Sequence, residues 1–381
     1  MTTKKTLGAL ALVVALVAAA LFVRSRHQTR GVRIGVVLPL SGSMAEYGEN
    51  GREGLTLAAA ELSSQYGIKE FELTYQDSRE APQDTVQAVR RLIDVDHVQF
   101  IIGGLTSSGV LAAAPYAQQH AVLFFTPAAS APGIPEIGDL VFRNWPGDDL
   151  IAREFGQAAH DELKVQKVAI LSVSNDYGNT NATYFAKTFS AKGGIVLLRR
   201  AFSQGTTDFR PLLTEVGALQ GLDKLFLVAY PDEYRAIFPE IAASRIRKGS
   251  ILVSDTFYSP QLLSQLGSSA EGTVCAVAAK PGEDYKPRQQ FIAAYRARFK
   301  TRDGKPKDPG LVSDTAYDAL KLVMTGISET DGSPKAVAKW LHKLRNYPGA
   351  AGPVTFGETG DIKGELALFE VVSGKFVARN F

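Results

Sequence analysis

Two stretches of this chain end in residues suited to holding a small anion: Gln99-Phe-Ile-Ile-Gly-Gly-Leu-Thr-Ser-Ser-Gly109 and His120-Ala-Val-Leu-Phe-Phe-Thr-Pro-Ala-Ala-Ser130. Each reads as an apolar strand running into small, hydroxyl-bearing residues. In the first, a helical pattern follows at once. Ser107 and Ser108 therefore fall in a first turn whose backbone N–H groups lack intrahelical acceptors, where a carboxylate is welcome. In the second, Ala128 and Ser130 bring a carbonyl and a hydroxyl to the carboxyl end of the next strand, the edge at which open α/β sheets bind ligands. The chemistry on offer is non-covalent, with donors for a carboxylate beside acceptors for an ammonium. That is the start of an amino-acid cleft.

Other constellations point away from catalysis and cofactors. Ser107 has no histidine partner in any local arrangement, which argues against a hydrolytic nucleophile. Gly48, Gly51 and Gly54 follow a strand without forming GxGxxG, so a nucleotide site is not expected. The five histidines are scattered and no pair has metal-ligand spacing, so neither a metal nor an organic cofactor is expected. The single cysteine, Cys275, excludes an intramolecular disulfide. It lies in the apolar run 272–278, which reads as a buried strand carrying an inert thiol.

Positioning such a cleft takes a sizeable scaffold, and 381 residues suffice for about two domains. The formal net charge is +3, part of it from Lys4, Lys5, Arg24, Arg26 and Arg30. No basic stripe interleaved with aromatics is present, so nucleic acid is not an expected partner. Residues 1–30 read as an export signal rather than as part of the fold, with a basic start and an uninterrupted apolar run over 7–23. Ala18-Ala19-Ala20 offers a cleavage site that would release a soluble protein. The run also approaches the lower limit of a membrane span, with arginines following it, so a retained N-terminal anchor is the competing reading. Membrane contact is expected only through this segment. In either case the body acts outside the cytoplasm.

From Val32 onward, short β-branched runs alternate with amphipathic segments, the pattern of a parallel sheet with crossover helices. Strands are predicted over 32–40, 71–76, 99–102 and 122–125, with helices over 53–66 and 81–95. After Arg143-Asn-Trp-Pro-Gly-Asp-Asp149, which reads as a domain crossing, a second series begins. Its strands are predicted over 167–173, 195–201, 224–228 and 250–253, and its helices over 151–163, 181–192, 209–219 and 232–244. Beyond the strand near Val274, helices are predicted over 287–299, 313–327 and 333–344, the last started by Ser333 as N-cap and Pro334 in the first turn. The strand-like tail, 364–371 and 375–378, implies further crossings, and three of them would make the linkers a hinge.

Short motifs then recur in order through the body: Ile34-Gly-Val-Val-Leu-Pro-Leu-Ser-Gly42, Tyr47-Gly48, Gln76-Asp-Ser78, Ile102-Gly-Gly-Leu-Thr-Ser-Ser108 and Thr126-Pro-Ala-Ala-Ser130. They continue as Phe142-Arg143, Asn175-Asp-Tyr-Gly178, Ala270-Glu-Gly272, Tyr317-Asp-Ala-Leu320 and Gly357-Glu-Thr-Gly360. Through their order and spacing the chain resembles the type I periplasmic solute-binding proteins of the Leu/Ile/Val-binding group, the receptor components of ABC importers. The resemblance implies an α/β fold of two Rossmann-like lobes with parallel sheets, joined by a three-strand hinge. Residues 31–145 plus 276–347 would form one lobe, and 146–275 plus 348–381 the other.

The resemblance also assigns the site. Ser107 and the N–H groups around it would receive a carboxylate, while the Ala128 carbonyl and Ser130 hydroxyl would contact the rest of a zwitterion. Asp255 would neutralise the ammonium. Tyr47 and Tyr177 would be aromatic walls, one per lobe, and Tyr230 a third on a looser match. No role is assigned to Trp145 or Phe257. The implied ligand is an amino acid, branched-chain or otherwise apolar, or a related small carboxylate or amide. The implied partner is an ABC-type membrane permease, and the receptor is expected to be a monomer without enzymatic activity. The alternative is a membrane-tethered sensory receptor of the same fold that signals ligand occupancy, which a retained N-terminus would favour.

Overall fold

The computed structural model describes residues 31–65, 71–79, 81–247, 249–282 and 284–379. The expected export signal, residues 1–30, lies outside the described residues. Among the described residues, no helix is long and apolar enough to cross a membrane.

The first series builds a five-stranded sheet in the order β2-β1-β3-β4-β5. Its strands are β1 (Val32–Leu38), β2 (Phe71–Asp77), β3 (Phe100–Gly103), β4 (Leu123–Thr126) and β5 (Val141–Arg143), and every neighbouring pair is parallel. The second series repeats that plan. Strands β6 (Lys167–Val173), β7 (Ile195–Phe202), β8 (Lys224–Val228), β9 (Ile251–Val253) and β10 (Val274–Ala278) lie in the order β7-β6-β8-β9-β10, again parallel. A hairpin, β13 (Leu366–Val372) and β14 (Lys375–Arg379), adds antiparallel to β10 and completes a seven-stranded sheet. Its turn sits at Ser373 and Gly374, both at positive φ as a two-residue hairpin requires. Tyr347–Pro348 and Pro353–Val354 form a small separate pair, β11 and β12.

The chain passes between the sheets after Arg143, after Ala278 and again before Leu366. Helices Lys286–Arg298, Ser313–Glu329 and Pro334–Lys343 return to the first sheet, where Ser313–Glu329 packs along Ala45–Gln65. Strand interiors are apolar on both faces, as sheets covered by helices on both sides require. Helix Pro82–Asp94 shows the matching pattern on its covering side, burying Thr85, Ala88, Val89, Leu92 and Ile93.

Three local expectations need correction. The helix predicted from Glu53 begins at Ala45, so Tyr47 lies in its first turn rather than in a loop. Gly48 and Gly54 sit where a Cβ would meet the Pro39 and Ser313 carbonyl oxygens at 1.9 and 2.0 Å. These are close-packing glycines within a helix. The helix predicted from Asn181 begins at Asp176, capped by the Asn175 side chain accepting from Gly178 N at 3.0 Å. Strand β5, three residues long, was not predicted at all, being too short for any periodicity to show.

Candidate functional site

The strand order 2-1-3-4-5 places a topological switch point between the first and third strands, where ligands bind at the carboxyl ends. This chain has two such points, β1/β3 and β6/β8. Tyr47, Ser107 and Ala128–Ser130 follow β1, β3 and β4, while Tyr177, Tyr230 and Asp255 follow the equivalent strands β6, β8 and β9. The two edges face each other. Tyr47, Ser107, Ala128, Ser130, Tyr177, Tyr230 and Asp255 all line one cleft with an empty volume of about 410 Å³.

On the first lobe, Gly103 lets the chain leave β3. A Cβ there would meet the Val37 carbonyl oxygen at 2.0 Å, and its φ of +133° excludes other residues. Thr106 rather than Ser107 is the N-cap of helix Ser107–Gln119, so Ser107 is not the ordinary cap it could have been. Its Oγ instead accepts from the backbone N–H groups of Ser130 and Ala131, at 3.3 and 3.1 Å. With its acceptor capacity used, the hydroxyl hydrogen is left to donate into the cleft. Thr126 fastens the same two loops, donating to Gly104 O at 2.6 Å and accepting from Ala129 N at 3.0 Å. The Ser130 hydroxyl donates to Asp148 Oδ2 at 2.6 Å, so toward a ligand its oxygen can act only as an acceptor.

On the second lobe, Asp255 opens a short 3-10 turn directly after β9. Its Oδ1 accepts from the Tyr177 hydroxyl at 2.6 Å and from Thr256 N at 2.9 Å. Burial nevertheless outweighs these bonds and one from Trp145, raising the carboxyl above its ordinary pKa. The rings of Tyr177 and Tyr230 stack with centroids 5.5 Å apart, forming one aromatic wall. The Tyr230 hydroxyl accepts from Asn175 Nδ2 at 3.2 Å.

Several lining residues carried no sequence signal. Trp145, for which no role was expected, closes the cleft beside Asp255, and Thr256 and Met44 join it. Leu311 and Val312 also line it. Val312 caps helix Ser313–Glu329 in the left-handed region at φ +68°, a strained conformation for a β-branched residue. Phe257 points elsewhere, stacked on Phe238 at 5.2 Å in the second lobe's core. Cys275 is fully buried, and its thiol is pushed well up by burial and by the Asp255 charge.

The lobes touch directly around the cleft. The Tyr47 hydroxyl donates to the Thr256 carbonyl. Ser259 Oγ donates to Glu46 at 2.6 Å, and Ser108 Oγ donates to Asp176 at 2.7 Å. At the hinge, Arg143 at the first crossing forms a fork with Asp361 at the third, 2.6 and 2.8 Å. This is a closed form. Among the described residues, no cluster of His, Cys, Asp or Glu could hold a metal ion.

A family model described as "Periplasmic binding protein" matches residues 31–375. The chain is 27% identical over 360 residues to the Leu/Ile/Val-binding protein BraC3 of Rhizobium johnstonii, covering 91% of this chain and 93% of that one. A leucine-binding protein from Thermotoga maritima superimposes with a TM-score of 0.84 at 26% identity, covering 92% of this chain and 98% of that one. A solute-binding protein of an ABC transporter from R. palustris, solved with benzoate, shares the fold with a TM-score of 0.82 at 19% identity, over 91% and 95% of the two chains.

Proposed function

The chain belongs to the periplasmic binding proteins, and on that premise we propose that it is the extracytoplasmic receptor of an ABC importer, capturing an apolar α-amino acid by closure of its two lobes. One observation carries the reading: hydroxyl and helix N-terminal donors on one lobe face a half-buried carboxylate on the other across a cleft walled by Tyr47, Tyr177, Tyr230 and Trp145. An α-amino acid presents a carboxylate and an ammonium on adjacent atoms with an apolar group beside them. Ser107 and the first-turn N–H groups suit the carboxylate. The Ala128 carbonyl, the Ser130 oxygen and Asp255 suit the ammonium, and the aromatic rings cover the apolar part. Relatives named for leucine, isoleucine and valine support the same class.

On this reading the protein has no catalytic step. Ligand bridges the lobes, water leaves, and the weakened screening strengthens each charge contact inside. The closed form is what a membrane permease would recognise, and a monomer suffices. Calorimetric titration of the purified chain separates the candidate ligand classes. L-Leucine, L-isoleucine or L-valine should bind far more tightly than benzoate or an aliphatic amide, because a ligand without an ammonium leaves Asp255 buried and unpaired. Preference for benzoate would overturn the amino-acid assignment.

A further inference from the structure

Behind the Trp145 ring lies a second small space of about 310 Å³, shared by two carboxyl groups: Asp255, which also lines the ligand cleft, and Asp148, which does not. Asp148 begins helix Asp148–Asp161 and is 4% exposed. The groups packed around it offer little positive charge. Ser130 donates to it at 2.6 Å, and Asn181 on helix Asp176–Ala191 hydrogen-bonds it. The nearby cation is Arg143 at the end of β5, but that guanidinium is held by Asp361 and by the Ala131 carbonyl. On its own helix, Asp149 is paired with Arg153. The other titratable neighbours of the pair are Tyr47, Tyr177, Tyr234 and Cys275, each kept neutral by burial. Asp148 and Asp255 therefore share a space with no lysine or arginine among its described lining residues.

We propose that Asp148 is a further specificity-determining residue of the site: with Asp255 it forms a carboxyl pair that shares one proton before ligand arrives and gives it up to solvent when a cationic group takes its place. Like charges confined together cannot both ionise cheaply, so such a pair titrates as a unit in two steps. Asp148 illustrates the effect, pushed up to about 7 by burial and then by the Asp255 charge. A ligand ammonium favours both ionised forms and expels the proton, whereas a simple carboxylate has nothing to exchange for it. Asp148 thereby enforces the demand for a cation from outside the cleft.

The proposal rests on the reading of Asp255 as partner of a ligand ammonium, and two measurements keep the two apart. The first titrates the full chain with L-leucine at pH 6.5 in two buffers of different ionisation heat. The heats should differ by the release of about half to one proton, and affinity should fall about tenfold per pH unit below 7. Asp148→Asn keeps the acceptor for Ser130 but leaves a single carboxyl, so its heats should be independent of buffer and its affinity flat down to about pH 5.5. Leucine binding without proton release in the wild-type chain, or undiminished release in D148N, overturns the pair. The second measurement needs no ligand: infrared difference spectra between pH 6 and 8.5 should show a protonated-carboxyl band in excess of that of D148N, in which the Asp318 carboxyl, raised to about 7 by burial, still contributes. If leucine fails to bind but this band behaves as described, the ligand assignment falls and the pair stands. If that excess is absent, the pair falls.

Discussion

At the scale of single residues, the proposed function divides the cleft's work between groups that would hold a carboxylate without net charge and one group that carries charge. Ser107 stands among backbone donors that survive its removal, so Ser107→Ala should cost about 1 kcal/mol of binding, the worth of one neutral hydrogen bond. Asp255 has no substitute on its edge. Asp255→Asn should cost on the order of 2–5 kcal/mol toward zwitterionic ligands. Toward a plain carboxylate it should cost much less, or even help, since it removes a buried charge that such a ligand leaves unpaired. Calorimetry with L-leucine and with 4-methylpentanoate makes the comparison directly, and equal losses for both would remove Asp255 from the role of ammonium partner.

At the scale of elements, the cleft depends on how closely two helices approach. Ala45–Gln65 carries Met44 and Tyr47 at its start, while Leu311 and Val312 lead into Ser313–Glu329. Gly54 is their point of contact, a Cβ there lying 2.0 Å from the Ser313 carbonyl oxygen. Gly54→Ala must push the helices apart, at a cost of about 1–3 kcal/mol for overpacking. An unchanged urea midpoint would show that the interface yields freely. The same helices show what the sequence conceals. Strand positions were readable because each apolar run is short and bounded, and the residues after β3, β4 and β9 could be placed at sheet edges. The start of Ala45–Gln65 was not legible as helix, because a close-packing glycine such as Gly48 looks the same in sequence as a breaker. Leu311 and Val312 enter the cleft from a segment that follows no strand of the first lobe's series. Nothing local marks them, and only the packing of one helix on another brings them there. Asp148 was hidden for a related reason. Its place beside Asp255 is created by the crossing after Arg143, which starts helix Asp148–Asp161 against the second sheet.

At the scale of the whole molecule, the two lobes are the same plan used twice, and the closed form is held by contacts that do not involve ligand. Ser108 and Asp176 illustrate this. Each lies at the start of a helix that follows the switch-point edge of its own lobe, and neither lines the cleft. The Ser108 hydroxyl donates to the Asp176 carboxylate at 2.7 Å and accepts from Asp176 N at 3.3 Å, joining the two helix starts across the opening. This link exists only when the lobes are together, so it adds to the stability of the closed state over the open one. Removing it by Ser108→Ala leaves every cleft-lining residue in place. The closed state should lose about 0.5–1.5 kcal/mol, the net value of an exposed or charge-assisted hydrogen bond. Encounter with the open form is untouched, so the loss should appear as a roughly two- to tenfold faster dissociation with an unchanged association rate. Stopped-flow measurement of tyrosine and tryptophan fluorescence reads both rates. A slower association with unchanged dissociation would mean that Ser108 acts on the open form, and the link would no longer count as a latch.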